Sequence, residues 1–477
     1  MTKRGRTSRK RCRKLKGNSY FVPNQENVLL RWMKKSWNFK CKELCVAEFH
    51  STGRGLLAKR NFKKGDVIIS VPKEVLIGVR QVCQNSSIIK FLLAKNPSGL
   101  STISGVEALC IFLIEEVRLQ DYARKHNKIS IKWSPYISSL PTVFNHPVIW
   151  CHSSIILLPE SVQKNVTNMQ LDVCRQFQEV NKLLAEARNW GLEINLPLKI
   201  LSSDFTWEEY TWAWCCVNTR CVYSSHDVQK QTFVRPSAAD CYYLVPFLDL
   251  LNHSPSVQVK TGFNSNNDCF EITSMSNVKK HNQVFINYSA HGNDVLLVEY
   301  GFVCPQEPNE NDVIRTSLKS ISQHLPGGKD KMATLKQMCE LTTLCEDLTF
   351  QNTGASWSLR AVVMFLALRQ NSGTLTEQEL KSILHEVLHS NLKSSSFNLH
   401  SKNNAQVILG QVCISEMEKV KIMIEKCIHV QQSMCDSSTL SQQVNSALDL
   451  WEIYDKMLQT CCNMIHNTDV FLEFFKH

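Results

Sequence analysis

Three short stretches of this 477-residue chain carry residue types that can do chemistry. Thr52-Gly53-Arg54-Gly55-Leu56 sets two glycines around one residue, which lets backbone approach a ligand closely and offer it N–H and C=O groups. Asn252-His253 ends the apolar run LVPFLDLL. An amide both donates and accepts, which suits an adenine edge. The third stretch, VFINYSAHGNDVLLVEYGFV (284–303), places Tyr288 at the end of a strand pattern and Tyr300-Gly301-Phe302 just beyond it. Two phenols and a Phe around one loop can wall a slot.

Several chemistries are excluded. The glycine pair lacks the third glycine and following helix of a dinucleotide fingerprint, and no Gly-Lys-Ser/Thr follows it to cradle phosphates. Twenty cysteines are scattered without one Cys-x-x-Cys. Cys41/Cys45, Cys215/Cys216 and Cys461/Cys462 assemble no zinc-like spacing, so no metal is expected and the thiols read as reduced. No Cys or Ser stands in a recognisable nucleophile setting. Asn252-His253-Ser254 and Asn287-Tyr288-Ser289 are formal glycosylation sequons, yet no hydrophobic signal core opens the chain, so neither is expected to be used. Taken singly, each of the three stretches also reads as ordinary structure: a turn, a helix end with a satisfied histidine, and core aromatics.

The elements that must position these residues follow from periodicity. NVLLRWMKKSWNFK (27–40) reads as a short amphipathic helix, and residues 46–77 carry strand signals, with a turn at Lys63-Lys64-Gly65-Asp66 before the β-branched DVIISVP. From about 85 to 235 the pattern is helical, with VEALCIFLIEEVRL (106–119) buried all round. Strands return at CFEITS (269–274) and QVFINYS (283–289). Beyond about 305 the helical period dominates: a Thr376/Glu379 capping box opens the stripe Leu380, Ile383, Leu384, Val387, Leu388. Further stripes run Ile414, Met417, Val420, Ile424, Cys427 and Val444, Leu448, Trp451, Tyr454, Leu458.

The net charge of +11 is concentrated at one end: MTKRGRTSRKRCRKLK (1–16) holds nine Lys or Arg and no acid. Like-charge repulsion predicts a disordered basic tail over 1–20, suited to an import receptor or to nucleic-acid phosphates. No apolar run is long enough to span a bilayer, so no membrane partner is expected.

The three stretches in this order, and at this wide separation, resemble the SET-domain methyltransferases: a Gly-x-Gly loop between early strands, a central Asn-His, and a late strand ending in Tyr. The helical insert and the helical region after Tyr300-Gly301-Phe302 narrow the resemblance to the split-SET branch typified by the Rubisco large-subunit methyltransferase. That resemblance implies an α+β fold: small SET-type sheets with a pseudoknot over 46–289, a helical insert over about 85–235, and an all-helical substrate-binding domain over 305–477. It implies S-adenosylmethionine as cofactor, with Gly53, Arg54 and Gly55 at its methionine end and Asn252 and His253 at its amino-acid and adenine portions. Tyr288 is implied at the methyl-transfer point, in contact with cofactor and as the catalytic residue. Tyr300, Phe302 and Arg220, which ends WAWCCVNTR, are implied along the substrate channel, with a surface ion pair as the other reading of Arg220. The expected substrate is a protein lysine, on a histone tail or elsewhere, met by a monomer in nucleus and cytoplasm. A protein-histidine methyltransferase and a non-catalytic interaction module are the alternatives. Two departures from the family pattern stand beside the site: His281-Asn282-Gln283 where many relatives have Gly-Glu, and Ser289 where a Gly commonly follows the Tyr.

Overall fold

The computed structural model describes residues 19–21, 26–95, 103–126, 131–190, 203–225, 241–324, 343–368, 378, 382, 385, 399–433 and 439–467. The basic segment 1–16 and the Thr376/Glu379 box with its stripe lie outside the described residues. The chain forms two compact units, Met1–Ile149 with Thr167–Ser289, and Trp150–Val166 with Ala290–His477.

The first unit is built from small sheets backed by helices. Its main sheet orders β1 (Ser19–Phe21), β2 (Leu44–Phe49), β3 (Gly53–Ala58), β10 (Gln283–Ile286) and β7 (Asn252–His253) as β1-β2-β3-β10-β7. A second sheet sets β4 (Val67–Pro72) beside β9 (Cys269–Ser274) and β8 (Val259–Asn264), and β5 (Cys221–Tyr223) pairs with β6 (Tyr242–Leu244). The strands are short, as expected where alternation is interrupted by turns, and their inward residues Leu56, Ile69, Val71, Phe270, Ile272 and Val284 are all buried.

The helix Gly105–Lys125 starts at a capping box in which the Ser104 side chain accepts from Glu107 N–H and the Glu107 carboxylate accepts from Ser104 N–H. Leu109 through Leu113 are all buried, so this helix is surrounded on every side, as its unbroken apolar pattern predicts. A second capping box, Thr206 with Glu209, starts Trp207–Arg220. The amphipathic helix read over 27–40 forms as Glu26–Trp37, with Leu29 and Met33 buried.

In the second unit, Leu399–Gln432 packs along Thr439–His466, with Trp357–Leu368 against the former. Val444, Trp451, Tyr454 and Leu458 are buried as the stripe predicts. The other long helix buries its stripe in part: Val420 and Cys427 are buried and Met417 and Ile424 half-buried, while Ile414 is 42% exposed and Ile408, Leu409, Val412 and Cys413 are buried before it. The expectation of an all-helical region also needs correction. A three-stranded sheet of β11 (Val313–Arg315), β12 (Thr349–Gln351) and β13 (Gly354–Ala355) stands within it. Strands of two and three residues are too short to print an alternating pattern on the sequence. Sixteen described cysteines are free thiols, whereas Cys345 is disulfide-bonded.

Candidate functional site

The Gly53–Gly55 stretch is not a loop, as the sequence implied, but the opening of β3. This strand pairs along its whole length with β2, from Gly53↔Phe49 to Ala58↔Leu44. On its other side β10 meets it only at Leu56 and Leu57. β10 then leaves β3 and pairs in parallel with β7, Phe285 with Asn252 and Ile286 with His253. A fork results, and a side chain bridges it. Asn252 Nδ2 donates to Arg54 O at 3.1 Å and reaches Thr52 O at 3.4 Å, standing in for the missing ladder bonds.

Both glycines are required here. Gly53 sits at φ +64°, a conformation that strains any L side chain. A Cβ on Gly55 would lie 2.7 Å from Asn252 Nδ2 and 2.6 Å from Gln283 Nε2, inside contact distance. Thr52 Oγ1 donates to Gln283 Oε1 at 2.9 Å, a second tie across the fork.

The apolar run before Asn252 is folded to deliver it there. Leu244 ends β6, Phe247 turns the chain at φ +71°, and a 3-10 turn over Leu248–Leu250 leads into β7. Within that turn Asp249 is buried, its side chain 2% exposed. Its carboxylate accepts from Tyr136 Oη at 3.0 Å and from Arg220 at 3.3 Å, while Arg220 also donates to Asp249 backbone O at 3.0 Å. Burial pushes the Asp249 carboxyl up from its ordinary value, against the pull of Arg220, Tyr136 and Arg54. Burial would lower the Arg220 guanidinium, but the charge of Asp249, with Tyr136, Cys216 and Tyr288 in its field, holds it raised. Arg220 is therefore half of a buried pair and not of a surface one, its side chain 16% exposed.

Tyr288 is pinned at both ends. Its backbone N–H donates to His253 Nδ1 at 3.1 Å, and its phenol donates to Leu251 O at 2.9 Å. The His253 and Tyr288 rings lie 5.2 Å apart, and His253 is buried. Arg54 turns its guanidinium to Ser139 O at 2.5 Å.

Gly53, Arg54, Gly55, Arg220, Asn252, His253 and Tyr288 thus form one connected neighbourhood of the first unit. Tyr300 and Phe302 belong to the second unit, where their rings lie 6.2 Å apart and His291 stands 6.1 Å from Tyr300. Three members were not expected from the sequence: Asp249, Tyr136 and Gln283. Asp249 had a legible signal, since a lone acid inside PFLDLL must be paired if that run is buried. Tyr136 had none, and Gln283 was legible only as part of the departure His281-Asn282-Gln283 beside the site. Among the described residues no group of three or more His, Cys, Asp or Glu is arranged to hold a metal ion, and no helix is long and apolar enough to cross a membrane.

The sequence profile of the SET domain matches residues 53–289. SET domain-containing protein 4 of Mus musculus is 32% identical over 417 residues, covering 85% of this chain and 87% of the mouse protein. SET domain-containing protein 4 of Homo sapiens is 29% identical over 470 residues, covering 97% and 98%. Among solved structures, Rubisco LSMT bound to AdoMet superposes with a TM-score of 0.53 at 18% identity, over 95% of this chain and 93% of that one. At that identity the likeness is one of fold.

Proposed function

The chain belongs to the SET-domain family, and from that premise we propose that it is an S-adenosylmethionine-dependent protein N-methyltransferase acting on lysine. The observation that carries this reading is the convergence of Gly53–Gly55, Asn252-His253 and Tyr288 through direct hydrogen bonds, across some 230 residues of chain. Mutual support of this kind among polar groups is what a positioned ligand site requires.

The residues fit such a cofactor. Arg220 Nε and Asn287 Oδ1 are buried and have no hydrogen-bond partner among the described residues. Buried polar atoms are rarely left this way unless a ligand or water meets them. The opened edge of β3 would offer backbone to the methionine end, and Asn252 and His253 would hold the amino-acid and adenine portions. When bound, the cofactor supplies a methyl group on a sulfonium centre.

The protein's own part is orientation and exclusion of water. With its phenol tied to Leu251 O and its N–H to His253, Tyr288 presents its ring in one pose at the transfer point. A phenol with an ordinary pKa of about 10 keeps its proton at neutral pH, so it orients and does not abstract. The acceptor must arrive as a neutral amine. Lysine, with a pKa of about 10.4, reaches that state more readily where burial disfavours its charge. Alignment of amine with methyl can supply ~7 kcal/mol or more of the barrier.

The substrate lysine lies on a histone tail or a non-histone protein, and the nine basic residues of 1–16 support a nuclear as well as cytoplasmic location through an import receptor. The test is methyl transfer from labelled cofactor to nuclear and cytosolic extracts, followed by mapping of the label. Label on lysine Nζ is expected. Label on a histidine ring would replace the acceptor, and cofactor binding without transfer to any protein would leave an interaction module.

A further inference from the structure

We infer that Gln283 is a positioning residue for the Gly53–Gly55 edge, acting through Thr52 and facing Asn252 across Gly55. The inference starts from the fork in the main sheet. Ladder pairing between β10 and β3 covers Leu56 and Leu57 and does not continue to Gly55, because β10 turns to pair with β7. Below that point β3 is secured on this side by side chains: the Asn252 amide on Arg54 O and Thr52 O, and the Thr52 hydroxyl on Gln283. Gln283, the first residue of β10, pairs with Leu57 in the ladder, and its side chain reaches past Gly55 to the turn that precedes Gly53.

The partners of its amide are unequal. Gln283 Oε1 accepts from Thr52 at 2.9 Å, but Nε2 is buried and has no partner among the described residues. Both Gln283 Nε2 and Asn252 Nδ2 approach the point where Gly55 lacks a side chain, at 2.6 and 2.7 Å from it. Two N–H donors therefore look into the same small space, and only Asn252 has acceptors for its own. A carboxylate at 283 would differ from the amide by one atom: it could still accept from Thr52 and would carry no donor left without an acceptor. What Thr52 needs from position 283 is therefore an acceptor, which Glu supplies as well as Gln does.

One arm of the test is free of any ligand. Hydrogen exchange across 50–56 should quicken in Gln283→Ala and return to the native rate in Gln283→Glu, with thermal melting of each variant showing that it is folded. The second arm rests on the cofactor reading. Calorimetry with S-adenosylhomocysteine should give a Kd about three- to tenfold weaker for the Ala variant, the effect of one lost hydrogen bond. The Glu variant, which keeps the acceptor for Thr52, should bind as tightly as the wild type.

Native exchange and native affinity in Gln283→Ala would overturn the inference. So would a Glu variant as impaired as the Ala variant, because a donor and not an acceptor would then be what position 283 supplies. Wild-type protein that ignores S-adenosylhomocysteine would sink the cofactor reading, and the exchange arm would still decide the role of Gln283.

Discussion

The edge of β3 at Gly53–Gly55 and the paired helices Leu399–Gln432 and Thr439–His466 are held by different means. The helix pair closes over continuous apolar stripes, Ile408, Leu409 and Val412 on one helix and Val444, Leu450 and Leu458 on the other. The strand edge is closed by single hydrogen bonds between residues 198 to 231 positions apart, Asn252 to Arg54 and Thr52 to Gln283. Removing one residue from the first region takes away packing spread over many neighbours. Removing one from the second takes away a specific tie and little else. Stability should therefore be lost from the helices, and binding or turnover from the edge.

The contrast is most easily broken at Trp451. Its ring is buried and its Nε1 donates to Leu157 O at 2.6 Å. Trp451→Ala leaves a cavity and an unpaired carbonyl, and should lower unfolding free energy by ~3–5 kcal/mol in denaturant titration. Cofactor affinity, read by calorimetry at a temperature where the variant is folded, should stay native. A large loss of affinity would show that the helix pair reaches the site through more than stability.

Tyr288→Phe is the reverse experiment. It removes one oxygen, and with it the bond to Leu251 O, while the ring and the backbone bond to His253 remain. Turnover should fall about 100-fold or more, the scale seen when one positioned donor leaves an active site. The S-adenosylhomocysteine Kd and the melting temperature should change little. Undiminished turnover would remove Tyr288 from the transfer point.

The same contrast explains what could be read from the sequence. Val444, Trp451, Tyr454 and Leu458 recur at helical spacing, so their burial was legible without any partner in view. On Leu399–Gln432 the stripe is buried at Val420 and Cys427 but not at Ile414, because apolar residues stand on more than one side of the helix there. At the site, glycines and an Asn-His could be picked out by type and order. Their bonds could not, because a hydrogen bond between residues 52 and 283 leaves no periodic trace. The Asp249 pair with Arg220 lies between these cases: an acid in an apolar run announces a partner but does not say which.

Asn252→Ala tests the edge with a smaller effect. The truncation leaves Arg54 O without its side-chain donor and opens the fork between β3 and β10. Cofactor binding should weaken by ~1–3 kcal/mol, as when a buried group loses its partner. Calorimetry returning the native Kd would mean that β2 alone holds the edge.

Not every buried polar group in the first unit is such a tie, and Glu116 makes the distinction measurable. It lies on the helix Gly105–Lys125, 6% exposed, with Oε2 lacking a partner among the described residues. Burial, helped by the charge of Glu115 and opposed by Lys132, pushes its carboxyl from 4.5 up to about 7. Between those two values the folded protein keeps a proton that the unfolded chain has released. Its contribution to stability is therefore full below 4.5 and is lost as pH rises through about 7. Glu116→Gln has no proton to lose. The stability difference between wild type and variant should accordingly drift by up to about 1.4 kcal/mol per pH unit across that window, in favour of the variant at higher pH. Denaturant titrations at pH 5, 6 and 7 measure the drift (roughly the window in which the linkage acts). Cofactor affinity should be the same in both proteins, because among the described residues no hydrogen bond joins Glu116 Oε2 to the strand edge. Parallel stability profiles would mean that water reaches the carboxylate; a weakened Kd would mean that burial alone, without a tie, bears on the site.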